Sequence, residues 1–257
     1  MLLSTLILLF ATLLGGGLFL AFGKRGIQNL DLVLSFGGAF VIGMCFLHLL
    51  PEAFSQSSVA GEFVLVGFLL QGGLEFFSQG IEHGHLHAHE HDEHCQRPFQ
   101  WGRLPFAALF SLALHAALES MPILHHDYHE GHVHGPLHMD AIDWGLITGL
   151  VLHKVPVAIV LMAMMIERHV PKLWAWGILV IFGLSPLVGM ASFEFIVESS
   201  DLDQPSQMLG VAQALVVGIL LHIGTTIIFE AGDGHAFNRR KFAAILMGTC
   251  ISLLAFS

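Results

Sequence analysis

The chain has 257 residues, 54% hydrophobic and 12% charged, with a formal net charge of −10. Soluble domains carry about 25% charged residues, so a single soluble core could not hide this much apolar side chain, and the composition is that of an integral membrane protein. Ten basic residues against 20 acidic ones exclude a nucleic-acid-binding role, and Cys45, Cys95 and Cys250 lack the spacing of a disulfide framework or a zinc knuckle.

A helix needs about 20 apolar residues to cross the roughly 30 Å hydrocarbon layer. Eight windows qualify, at 2–22, 31–51, 62–80, 105–124, 143–166, 173–194, 208–230 and 242–257. The runs are continuous rather than alternating, which predicts an all-α protein of eight transmembrane helices and not an outer-membrane barrel. "MLLSTLILLF" has no positive residue ahead of it, and Lys24 and Arg25 follow it, the reverse of a signal peptide. The first helix is therefore expected to be retained, with both termini outside. The loops 23–30, 81–104, 167–172 and 231–241 then fall inside and hold nine of the ten basic residues, as the positive-inside rule requires. Lys154 is the tenth, and it falls mid-membrane.

Ionisable residues within spans are costly and mark functional sites by default. In the second window, "FLHLLPEA" places His48 and Glu52 four residues apart at the outer end. They suit either an ion-collecting entrance or a polar cap beside Pro51. Glu75 of the third window and His222 of the seventh lie deeper toward the inside, where either could line a pathway or pair with a neighbour. The cytoplasmic loop 81–104 carries His83, His85, His87, His89, His91 and His94, and the external loop 125–141 carries His125, His126, His129, His132, His134 and His138. Imidazole interleaved with Asp and Glu suits zinc, copper, nickel and iron(II). Both tracts are expected to capture metal weakly at several sites, the alternative being incidental low complexity.

The fourth window carries His115 and Glu119, which share a helix face at i, i+4. At 1.5 Å per residue, His115 lies about 15 Å from the inner end of its window, and His153 about 17 Å from the outer end of the next. Two imidazoles and a carboxylate on neighbouring antiparallel helices at the midplane make a plausible divalent-metal site. Simple hydrogen-bonded helix packing is the alternative. Lys154 lies beside His153, and Pro156 removes one backbone hydrogen bond, freeing a carbonyl as a further ligand or merely kinking the helix.

At "GMCFLHLLPEA" (43–53), "GFLLQGGLEFFSQGIEHGH" (67–85), "HAALES" (115–120) and "HKVPVA" (153–158), the sequence resembles the ZIP (Zrt/Irt-like) family of divalent-metal transporters, over essentially its whole length. The family's fourth helix carries HNxxEG or HNxxDG, and its fifth HExPHE or QDxPEG. The resemblance implies that His115, Glu119 and His153 bind the first transport metal. Pro156 falls on the motif proline. Val157 stands where the family has a further ligand, Ala116 and Lys154 replace ligands of a second metal position, and Ser120 and Ala158 replace other motif residues. Lys154 is expected to serve as a built-in cation on Glu119, or as a neutral donor or proton carrier.

The expected function is uptake of zinc or another first-row metal into the cytoplasm, with the ion as substrate and no organic cofactor. The resemblance further implies a homodimer in which helices 1, 4, 5 and 6 move past helices 2, 3, 7 and 8. A transport-inactive metal sensor or regulatory protein is the alternative. An intramembrane metalloenzyme is disfavoured, because HExxH is absent. The compact length and short termini point to a bacterial inner membrane.

Overall fold

The computed structural model describes residues 1–23, 30–78, 106–124, 142–199, 205–230 and 239–256. They form helices α1 (Leu2–Phe22), α2 (Leu30–Gln56), α3 (Ala60–Ser78), α4 (Phe106–Leu118), α5 (Trp144–Glu167), α6 (Lys172–Ser199), α7 (Pro205–Glu230) and α8 (Arg239–Phe256). No strand occurs among the described residues. Five helices, α1, α2, α5, α6 and α7, are long and apolar enough to cross a membrane. Helix α3 carries Glu62 and Glu75, and α8 opens on Arg239, Arg240 and Lys241.

Lipid offers no hydrogen-bond partners, so spanning segments satisfy their backbone internally as helices. Even the hydroxyls turn back onto it: Thr12 donates to the Leu8 carbonyl and Thr225 to that of Leu221. Asp143 caps the start of α5 by accepting from the Leu146 N–H at 2.8 Å. At the other end His169 adopts φ 59°, its N–H bonds the Ile166 carbonyl, and that of Val170 bonds Met165, which closes α5 as a Schellman turn.

Two helices break their regular pitch. In α2 the Leu50 N–H reaches back five residues to the Cys45 carbonyl, a wide π-type turn over Cys45–Leu49. Pro51 cannot donate and would crowd the carbonyl four residues earlier, and the widened turn makes room for its ring. The fourth span, expected to be continuous over 105–124, has its α-helix end at Leu118 instead. Pro122 has no N–H for the Leu118 carbonyl, and a 3-10 turn (Met121–Ile123) follows.

The helices pack as two halves. Helix α1 lies on α5 and α6, and α4 on α6; in the other half α3 lies on α7, and α2 on α7 and α8. Within each half, glycines let backbones meet. A Cβ at Gly15 of α1 would stand 2.4 Å from the Val155 carbonyl oxygen of α5, and one at Gly67 of α3 would stand 2.1 Å from that of Leu215 in α7. Between halves the glycines meet mainly side chains, Gly149 facing the Met44 thioether and Gly145 the His48 ring. Helix α5 fills the seam: 72% of its most apolar stretch is buried, against 33% for α6.

A Cβ at Gly189 of α6 would stand 1.9 Å from the Ala117 carbonyl oxygen, whereas Gly177 of the same helix has nothing within 4 Å. Gly189→Ala is expected to cost about 1–3 kcal/mol by overpacking. Gly177→Ala should instead gain about 0.5–1 kcal/mol of helix stability. Thermal unfolding of the two purified variants in detergent checks both signs.

Candidate metal centre

The centre forms where α4 gives way to the 121–123 turn. The Glu119 N–H still bonds the His115 carbonyl at 3.0 Å, so His115 and Glu119 keep helical spacing although Glu119 lies just past the helix end. The Ser120 hydroxyl then lies within hydrogen-bond distance of the Ala116, Ala117 and Pro186 carbonyls, tying the break to α6. Ser120, Pro122 and Ile123 are all buried. Irregular backbone at membrane depth is tolerated only where protein or a cavity encloses it.

Helix α5 supplies His153 and Lys154 to the same place, and all four side chains of the group are buried. One ligand atom from each of His115, Glu119 and His153 lies within 4.8 Å of the others. His115 Nε2 is 3.1 Å from Glu119 Oε2, and the two imidazoles meet edge to face with centroids 5.9 Å apart. A tetrahedral zinc with bonds of about 2.0–2.2 Å separates its ligand atoms by about 3.3–3.5 Å. The His115–Glu119 edge is already near that length, and the remaining edges lie within 4.8 Å.

The other oxygen of Glu119 accepts from Lys154 Nζ. The ammonium also lies 5.1 Å from the Phe182 ring centroid, where the ring face favours a cation. A buried carboxylate without a partner would be very costly, and Lys154 supplies that partner. Lys154, expected as a built-in cation on Glu119 or as a neutral donor or proton carrier, thus has its Nζ on Glu119. The carbonyl that Pro156 leaves without its usual N–H is that of Leu152, and it lies against Gly37 of α2.

Gln71 of α3, fully buried, was not among the residues singled out from the sequence. Its Oε1 is 3.0 Å from His115 Nδ1. With Gln71 Oε1 accepting from an Nδ1–H, Nε2 is the ring nitrogen left to face Glu119 with its lone pair. A lone pair facing a carboxylate oxygen at 3.1 Å needs a positive charge between them, a proton or a metal ion. An outer partner that fixes the imidazole tautomer is the usual support of a metal-binding histidine.

Of the remaining candidates, Glu75 and His222 pair with each other across α3 and α7 at 2.7 Å, with His222 edge-on to Phe68. His48 and Glu52 stay together at the end of α2 and are joined by Asp143, a second group of three whose ligand atoms lie within 4.8 Å of one another. Asp143 opens the fifth window of the sequence and is not among the candidates read there; its signal is a helix-capping aspartate. The histidines at 83–94 and 125–138 lie outside the described residues. The chain matches no protein-family model, and no curated protein matches it.

Gln71→Leu removes the acceptor that sets the His115 tautomer while every ligand stays. It is expected to raise the zinc concentration at half-saturation by roughly 10–100-fold, measured by equilibrium binding on the purified protein against the parent.

Proposed function

We propose that this chain carries divalent cations, zinc or another first-row metal, across a membrane toward the cytoplasm, as a carrier and not an enzyme. One observation supports the reading above the others. His115, Glu119 and His153, from two helices, converge within 4.8 Å of one another inside an apolar bundle. Their elements also suit transport, since carriers build midplane ion sites at interrupted helices and α4 is interrupted next to Glu119. In this reading eight helices span the bilayer with both termini outside, the ZIP-like arrangement that the motifs resemble. The half holding α1, α4, α5 and α6 carries the ion past the half holding α2, α3, α7 and α8. The homodimer implied by the resemblance and a bacterial inner membrane belong to the same proposal.

Zinc flux into proteoliposomes, read by an internal indicator, tests it. The parent protein should admit zinc at a saturable rate, and His115→Ala and His153→Ala should each lower that rate to the protein-free leak. Saturable flux that survives both substitutions would place the pathway elsewhere.

The second reading, a metal-binding sensor that does not transport, draws on the hold of Lys154 on Glu119 and on the buried Val157, which stands where the resembled motif has a ligand. It expects metal binding without flux.

Lys154→Met leaves Glu119 without its ammonium. Breaking a buried ion pair in this way costs about 3–5 kcal/mol. Saturating zinc should restore part of that loss, because a doubly charged ion at the three ligands supplies the missing positive charge and binds only the folded state. Thermal unfolding with and without zinc measures the recovery. Equal destabilisation in both conditions would mean that the ion does not sit on Glu119.

A further inference from the structure

We propose that His48, Glu52 and Asp143 form a second, separate divalent-cation site at the end of the bundle where α5 begins, holding a first-row ion through one imidazole and two carboxylates. The site stands whether or not the deeper group carries ions. Along α5, ten residues separate Asp143 from His153, about 15 Å at the helical rise.

Three helices build it. His48 Nε2 is 3.0 Å from Asp143 Oδ1, and one ligand atom of Glu52 lies within 4.8 Å of both partners. The His48 ring stacks on Phe256 of α8, with centroids 5.4 Å apart and planes 9° from parallel. Gly145 makes the space: a Cβ there would stand 2.9 Å from His48 Cδ2 and 2.9 Å from Phe256 Cε1. His48 itself sits in the wide turn of α2, and such turns recur at functional sites.

Helix capping alone does not account for this. The cap needs one oxygen of Asp143, already engaged with the Leu146 N–H. It needs neither a histidine, nor a glycine to seat one, nor a second carboxylate. Glu52 accepts from Gln56 Nε2 at 3.1 Å, yet a carboxylate has about four lone-pair positions, so both acids retain capacity for a cation. Two carboxylates brought this close repel unless a positive charge lies between them. His48 Nε2 faces Asp143 Oδ1 at 3.0 Å, and a cation between the three ligand atoms would complete the neutralisation. One imidazole with two carboxylate oxygens suits zinc and its first-row neighbours. The site differs from the deeper group in its formal charge of −2, where the deeper carboxylate is matched by Lys154.

Trp144 follows Asp143 and gives a local reporter. Cobalt(II) quenches tryptophan at short range, and the difference between the full-length parent and Trp144→Phe isolates the response of Trp144. Saturable quenching is expected in the parent. Glu52→Gln and Asp143→Asn, the latter preserving the helix cap, should each raise the half-saturating cobalt concentration by roughly 10–100-fold. Gly145→Ala, which touches no ligand but displaces the His48 ring, should raise it as well. His115→Ala should leave it unchanged. Quenching at parental concentrations in both Glu52→Gln and Asp143→Asn, or its loss in His115→Ala, overturns the proposal. Quenching that persists where zinc flux is absent would refute the transport reading and leave this site standing.

Discussion

One buried carboxylate sets the terms for this bundle. Glu119 lies at zero exposure among apolar helices, where a lone negative charge would be untenable. Its neutralisation recruits a lysine from α5 and a histidine from α4, and the histidine in turn requires a glutamine from α3. Phe182 of α6 then lies against the ammonium. Four helices are thus held in register around one charge, and the α4 break is fixed beside it by Ser120. Apolar packing alone leaves helices free to slide and rotate, because lipid is as apolar as leucine. The polar cluster specifies the arrangement where hydrophobicity cannot.

Much of this was legible in the sequence, for definite reasons. Continuous apolar runs gave the helices, and the i, i+4 spacing put His115 and Glu119 on one face. Counting residues from the window ends brought His153 to the same depth, and the isolation of Lys154 pointed to a carboxylate partner. What stayed hidden depended on helix rotation and on neutral polar groups. Gln71 carries no charge, and its role follows from which way α3 faces. Asp143 opens the fifth window, and nothing local marks it as a ligand, because its partnership with His48 joins residues 95 apart. The apolar run through Ile123 masked the end of α4 at Leu118, although Pro122 was there to announce it. Glu75 and His222 could each line a pathway or pair with a neighbour, and that they meet each other follows only from the packing of α3 on α7.

The two three-ligand groups are physically connected. The Asp143 N–H donates to the Ile123 carbonyl at 2.9 Å, and Leu124 bridges to Ile142. The stretch from Glu119 to Asp143 therefore begins at one group and returns to the other, so the break in α4 positions both. Charge also changes between them, from two acids at the bundle end to an internally neutralised acid in the interior. Residues 125–138, rich in histidine, lie on the sequence path between the two groups.

The lysine has a consequence for how the chain is made. On insertion scales a lysine at mid-helix raises the cost of entering lipid by about 2.5–3.5 kcal/mol. Helix α5 bears that cost alone until Glu119 arrives beside it. Because α4 precedes α5 in synthesis, the carboxylate is already waiting when the ammonium leaves the translocation machinery. In the proposed eight-span arrangement, the pairing of Lys154 with Glu119 therefore also lowers the cost of bringing α5 into the bilayer.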